Sequence, residues 1–348
     1  MSATAQHPLS VSFNTAEKLV KLALMKGLAV MLHGSPSSGK TAIGSKVAKE
    51  ANLEPITFSL LDHEPTDICG LPDLRGEKAT FKPFDTFPIE GDPLPEGKNG
   101  WLIMLDEFSS GGRAMQAAAN KLLYERLIGS KSLHPNARVM AMGNLASDNA
   151  FVVGMPQHTK SRQAHLFVHQ ELDEWTDWAL EADVDRTLIA YVQSKPSMLT
   201  KYDPDNIDVN YPCARTLEMC SDTIKGAPFE RWMLPLVQGI LGTGTGLEFY
   251  NFSKYSEQLP SLKQIIAAPD EVKIPDKQSY KFALAMIISD GINKENAPEI
   301  MKFIQRMSTD LQYFIFRAAC KRDLTLIAVP TIREWASGIS DKYSKKVA

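Results

Sequence analysis

No run of about 18 uncharged apolar residues occurs anywhere in the 348 residues, so a membrane-spanning helix is not expected. The four cysteines, Cys69, Cys213, Cys220 and Cys320, form no CxxC pair, and the seven histidines form no HExxH pattern. The common zinc signatures are therefore absent, and disulfide staples are not expected in a chain of this size. A reducing, cytoplasmic setting follows. The opening MSATAQHPLS has neither a basic cluster nor an apolar core, so it does not read as a secretion signal. A net charge of −3 gives no global attraction to nucleic acid, and the closing KYSKKVA reads as a frayed, solvated end. Internal repeats and low-complexity tracts are missing too.

What remains is an ordinary globular composition, 44% hydrophobic and 23% charged, in a chain long enough for two or three compact units. Apolar residues recur at helical spacing over Asn14–Lys26, and Gly27 ends that helix. Leu28–Leu32 is a short apolar run of the kind buried on both faces of a parallel sheet. Further strands are expected over Pro55–Leu60, Trp101–Leu105, Arg138–Met142 and Leu166–His169, with helices over Lys40–Asn52 and Gly112–Leu127. Alternating strands and helices predict a parallel sheet covered on both faces. From Glu171 helical periodicity takes over, broken at Pro196, Pro212, Pro228 and within Ala268–Pro275.

Gly34-Ser35-Pro36-Ser37-Ser38-Gly39-Lys40-Thr41 fits GxxxxGK[ST] at every fixed position, between a strand and a helix. A loop that turns its backbone N–H groups inward around phosphate oxygens needs glycine where side chains would obstruct. Lys40 would neutralise the β- and γ-phosphates, and the Thr41 hydroxyl would bind Mg²⁺. Read blandly, the same residues make a Gly/Ser turn with a solvated lysine. In Leu102-Ile103-Met104-Leu105-Asp106-Glu107 a buried strand delivers two acids at its C-terminal edge, where open α/β sheets bind ligands. Asp106 would hold Mg²⁺ and Glu107 would orient the attacking water, although Asp-Glu ahead of a helix also suits its N-terminus.

With these two motifs the sequence resembles the MoxR-like branch of the AAA+ ATPases. AMGN, Ala141–Asn144, is similar to the family's sensor 1, with Asn144 as the residue that helps position the lytic water. An asparagine in a strand-ending turn would look the same. Asp67–Pro72 resembles the branch's DLxGxP signature, and the following insertion would carry Phe81, Phe84 and Phe87, as a partner grip or a small local core. Arg126–Arg138 is placed like the hairpin that precedes sensor 1. Arg162 stands where the family has its arginine finger, with Gln163 after it where Phe is usual; Arg113 and Arg126 compete for the part. Pro212-Cys213-Ala214-Arg215 resembles the lid motif of sensor 2, with Arg215 touching the γ-phosphate and two residues separating it from the proline. Gly242–Gly246 (GTGTG) misses the GxGxxG spacing and reads as a flexible turn between lid helices.

The resemblance implies an α/β fold: an AAA+ P-loop core with a five-stranded parallel sheet, a helical lid and a helical C-terminal extension, over 1–170, 171–257 and 258–348. It implies Mg²⁺-dependent ATP hydrolysis in a ring, a hexamer as in the family, that remodels protein complexes beside a von Willebrand factor A-domain partner. Two other classes fit the same core: a nucleic-acid-directed AAA+ motor or loader, and an ATP-gated scaffold with low turnover. An intact Glu107 speaks against the scaffold, and the mixed charge of residues 64–96 speaks against the nucleic-acid motor.

Overall fold

The structure, a computed structural model, describes residues 7–145, 155, 157–200, 203, 205–335 and 337–338; the expected frayed end, 342–348, lies outside them. The chain divides into two compact units, residues 1–171 with 202–205, and residues 172–201 with 206–348.

The first unit runs β1 (Ser10–Ser12), α1 (Phe13–Met25), β2 (Val30–His33), α2 (Lys40–Glu50), β3 (Glu54–Ser59), α3 (Pro65–Cys69), β4 (Leu71–Asp73), β5 (Thr80–Lys82), β6 (Trp101–Asp106), α4 (Arg113–Asn120), β7 (Leu127–Ile128), β8 (Lys131–Ser132), β9 (Ala137–Gly143), α5 (Gln157–Lys160) and β10 (Ala164–His169). Six strands form one sheet in the order β1-β10-β2-β9-β6-β3, every neighbouring pair parallel. The α/β fold expected from the sequence is thus observed, with six strands in place of five. The extra strand, Ser-Val-Ser, is too short and polar to show as an apolar run; it forms because its backbone pairs with β10, from Ser10 against Phe167 to Ser12 against His169. Ser12 then caps α1 directly, its side chain accepting from the Thr15 N–H, so strand passes to helix without a loop.

Both faces of the sheet are covered, which is why its strands read as continuous apolar runs. On β6, Leu102 and Met104 join Val20, Ile43 and Val47 of α1 and α2, while Ile103 and Leu105 join Met115, Ala119 and Leu122 on the other side. The expected helix over 112–127 is interrupted: α4 stops at Asn120, a π turn covers Lys121–Glu125, and Arg126 takes a left-handed φ of 54°. The hairpin expected over 126–138 appears as β7 and β8. In the insertion, Phe87 is core, whereas Phe81 within β5 and Phe84 after it are exposed.

The second unit is helical: α6 (Leu172–Glu181), α7 (Arg186–Ser194), α8 (Ser197–Thr200), α9 (Ala214–Ile224), α10 (Leu234–Leu241), α11 (Thr243–Ser256), α12 (Leu262–Ala267), α13 (Gln278–Gly291), α14 (Ala297–Ile304) and α15 (Thr309–Arg322). One core runs through it on both sides of residue 258, joining Leu188, Leu217 and Phe249 to Leu284, Ile300 and Ile315. The GTGTG segment is not the flexible turn the sequence suggested. Gly242 alone makes the turn, at φ 87°, and Thr243 begins α11. The Asp208 carboxylate accepts from the Thr243 N–H at 2.7 Å and from its hydroxyl at 2.6 Å, so the helix N-terminus is already satisfied by an anion. Among the described residues no helix is long and apolar enough to cross a membrane.

Candidate functional site

Three adjacent strands of the sheet, β2, β9 and β6, end level with one another: His33 is opposite Gly143, and Leu105 opposite Ala141. Each releases one element of the candidate site at its C-terminal end. The loop Gly34–Gly39 follows β2, Asn144 follows β9, and Asp106 with Glu107 closes β6. Because β9 lies between the other two, its terminal asparagine reaches both ways. The Lys40 ammonium donates to the Asn144 Oδ1 at 3.1 Å, and the Asn144 Nδ2 donates to the Glu107 Oε2 at 3.1 Å. The two partners fix the amide's orientation, since ammonium only donates and carboxylate only accepts.

Lys40 is 8% exposed and donates also to the carbonyls of Gly34 at 2.8 Å and Ser35 at 3.1 Å, so the loop curls around its own lysine. Gly39 turns the loop into α2 at φ 89°, a conformation that glycine reaches without strain. Gly34 serves close approach instead: a Cβ there would stand 2.5 Å from the Ser38 Oγ. That Ser38 hydroxyl is buried and has no hydrogen-bond partner. A buried hydroxyl with a hydrogen left to donate suits a loop that meets phosphate oxygens. Gln170 steadies the opposite wall, its Nε2 donating to the Ser37 carbonyl at 2.8 Å, and Pro36 lies within the same loop.

The Thr41 hydroxyl donates to the Asp106 Oδ2 at 3.1 Å, which joins the start of α2 to the end of β6. Among the described residues no group of three or more His, Cys, Asp or Glu could hold a metal by itself. A hydroxyl beside one carboxylate nevertheless suits Mg²⁺, which keeps several waters and takes further oxygens from phosphates. Glu107 occupies a left-handed φ of 50°, which is uncommon for a residue other than glycine and marks a constrained position. Its N–H donates to the Asp106 Oδ1 at 2.8 Å, and its Oε2 also accepts from the Ser110 hydroxyl at 3.1 Å.

Lys40, Thr41, Asp106, Glu107 and Asn144 therefore converge, and Arg162 does not join them. Arg162 sits in the turn before β10, whose Ala164 pairs with Val30 at the start of β2. About 13 Å of strand separates that edge from the Gly34 end of β2. Arg162 is exposed at the far edge of its own sheet. Arg215 is exposed in the first turn of α9, within the second unit. Of the competing arginines, Arg113 is exposed at the start of α4, whereas Arg126 donates to the carbonyls of His134 at 2.8 Å and Ala137 at 3.0 Å. Arg126 is committed to the scaffold.

Two histidines that no motif announced lie behind the loop. His33, the last residue of β2, shares a 2.8 Å Nε2–Nδ1 hydrogen bond with His165 of β10, whose Nε2 donates to the Lys160 carbonyl at 2.9 Å. Burial, reinforced by His165, His7, Lys160 and Lys40, pushes His33 down to about 4. Ser110 and Gln170 were also invisible beforehand: a serine three residues after an acid, and a glutamine 133 residues from its partner, carry no sequence signal.

No known protein family matches the chain by sequence, and no curated protein does. Solved structures do. A provisionally described ATPase from Cytophaga hutchinsonii is 15% identical, with 96% of this chain and 90% of that one covered and a TM-score of 0.35. NtrX from Brucella abortus in complex with ADP is 13% identical, covering 91% and 68%, with a TM-score of 0.38. The Thermotoga maritima RuvB Holliday junction branch migration motor is 13% identical, covering 84% and 86%, with a TM-score of 0.39. Function must therefore be argued from the site's own geometry.

Proposed function

We propose that this protein is a Mg²⁺-dependent ATPase of the AAA+ type. The observation that carries the reading is the bridge Lys40–Asn144–Glu107, with the Thr41–Asp106 pair beside it. A cation meant for phosphate oxygens and a carboxylate meant for water are held one side chain apart. The loop amides of Gly34, Ser35, Ser37, Ser38 and Gly39 would surround the β-phosphate, while Pro36 has no N–H to offer. Lys40 would release its two carbonyl contacts to take β- and γ-phosphate oxygens. Thr41 and Asp106 would hold Mg²⁺, which neutralises charge that develops on the bridging oxygens. Glu107 would accept a hydrogen bond from the attacking water, and Asn144 would keep its carboxylate aimed. Water adds to the γ-phosphorus, the β–γ bridging bond breaks toward ADP, and inorganic phosphate leaves.

The far-edge position of Arg162 supports a ring. An arginine about 13 Å of strand away from its own loop cannot serve it, but a neighbour's site can receive it. A hexamer is the expected assembly, with Arg215 of the lid, residues 171–257, touching the γ-phosphate in cis and coupling lid angle to nucleotide state, and residues 258–348 forming a helical extension. Within the superfamily, the MoxR-like motifs favour a cytoplasmic, chaperone-like remodeller of protein complexes that works with a von Willebrand factor A-domain partner. Glu107→Gln tests the core of this reading. It should bind MgATP with affinity near that of the parent, lose at least about 100-fold in steady-state phosphate release, and accumulate as the ATP-bound ring. Parental turnover in that variant would refute the assignment.

A further inference from the structure

The turn that displays Arg162 is braced from both sides. The Arg162 guanidinium carbon lies 5.7 Å from the centre of the Tyr124 ring, within cation–π range. The Tyr124 hydroxyl donates to the Thr159 carbonyl at 2.9 Å and accepts from the Gln163 amide. Asn120 donates to the Thr159 hydroxyl at 3.1 Å, and the Arg162 N–H returns to the Thr159 carbonyl at 3.3 Å. From the sheet side His165 holds the Lys160 carbonyl.

Tyr124 itself is not free to swing. It lies in the π turn Lys121–Glu125, a feature that recurs at functional sites, and the turn closes through the Arg126 N–H on the Lys121 carbonyl. Arg126 is pinned two residues later by the His134 and Ala137 carbonyls. Burial pushes the Tyr124 phenol up, against the smaller opposing pulls of Gln163 and Arg162, so the hydroxyl stays a donor across the physiological range. An exposed arginine otherwise samples many rotamers, and holding one of them over an aromatic face removes much of that loss from the moment of reaction.

We propose that Tyr124 is the positioning residue for Arg162, a platform that presents the guanidinium to the nucleotide of the adjoining subunit. The proposal rests on the ring-ATPase reading above. Gln163 completes it: where the resembled family carries Phe, the amide here donates to the Tyr124 hydroxyl.

The test is a double-mutant cycle in the full chain, reading kcat, KM for ATP and equilibrium nucleotide affinity. Arg162→Ala should lower kcat by about 10³-fold. Tyr124→Leu should lower it by about 10–100-fold with affinity unchanged within twofold, and Tyr124→Phe, which keeps the aromatic face, should recover most of that loss. The double variant Tyr124→Leu/Arg162→Ala should be no slower than Arg162→Ala alone. Multiplying losses would overturn the proposal, as would a neutral Tyr124→Leu beside an impaired Arg162→Ala. Should Tyr124→Leu fail to fold, the small loss expected for Tyr124→Phe must vanish in the Arg162→Ala background, and its persistence would overturn the proposal. A neutral Arg162→Ala beside an inactive Glu107→Gln would instead sink the finger assignment itself.

Discussion

Asn144 offers a sharp perturbation because its two ends face opposite charges at equal distances, 3.1 Å to the Lys40 ammonium and 3.1 Å to the Glu107 carboxylate. Asn144→Ala removes both hydrogen bonds but leaves Lys40 its two loop carbonyls. Hydrogen bonds to charged groups contribute about 1.5–3 kcal/mol each. Losing the one that aims Glu107 should therefore slow hydrolysis by about 10- to 100-fold, with MgATP affinity changed by less than about threefold. Asn144→Asp differs in kind. A carboxylate at the same distance from Glu107 would repel it by up to about 5 kcal/mol at an effective dielectric constant near 20, and attract Lys40 by a similar amount. The lysine would then be locked against leaving for phosphate. We expect Asn144→Asp to lose at least about tenfold in affinity in addition to a larger loss of turnover. Titration calorimetry with MgATP and a phosphate-release assay on both variants check this. Equal affinities in the alanine and aspartate variants would refute the idea that Asn144 links the phosphate lysine to the hydrolytic acid.

Two further outcomes follow from other parts of the molecule. His33 is held near 4 when folded, against 6.5 when unfolded, so the unfolded chain binds more protons between those values. Its contribution is present above pH 6.5 and declines as pH falls toward 4, by up to about 3.5 kcal/mol at about 1.4 kcal/mol per pH unit. Thermal unfolding of His33→Gln should be flatter across that window than that of the parent, and an unchanged slope would contradict the assignment. Asp208 holds the start of α11 through both carboxylate oxygens, so Asp208→Ala should lower the denaturant midpoint of the helical unit, with ATP affinity unaltered. A loss of nucleotide binding there would reopen the GTGTG segment as a site.

The parts legible in the sequence were those whose physics is local. Glycines at fixed spacing before Lys40 and Thr41, and apolar residues ending in Asp106-Glu107, state a loop and a strand end by themselves. Their meeting depends on the strand order, which places β9 between β2 and β6 and brings the three ends to one edge. What escaped depends on partners far along the chain. Ser10–Ser12 is a strand only because β10 supplies its hydrogen bonds. The π turn under Tyr124 looks like ordinary helix until Arg126 is seen anchored to carbonyls near β9. The His33–His165 pair joins residues 132 positions apart with no spacing rule between them. GTGTG was misjudged because the carboxylate that makes it a helix start comes from Asp208, across 35 residues.

The proposed ATPase stands on the loop from Gly34 to Thr41 receiving the terminal phosphates of ATP. Equilibrium binding of MgATP to the parent and to Lys40→Ala, followed by calorimetry in the same buffer, addresses it with least intervention. We expect saturable one-site binding to the parent and at least about a 100-fold loss in the variant, with both proteins unfolding at similar temperatures. Undiminished binding to a folded Lys40→Ala would contradict it.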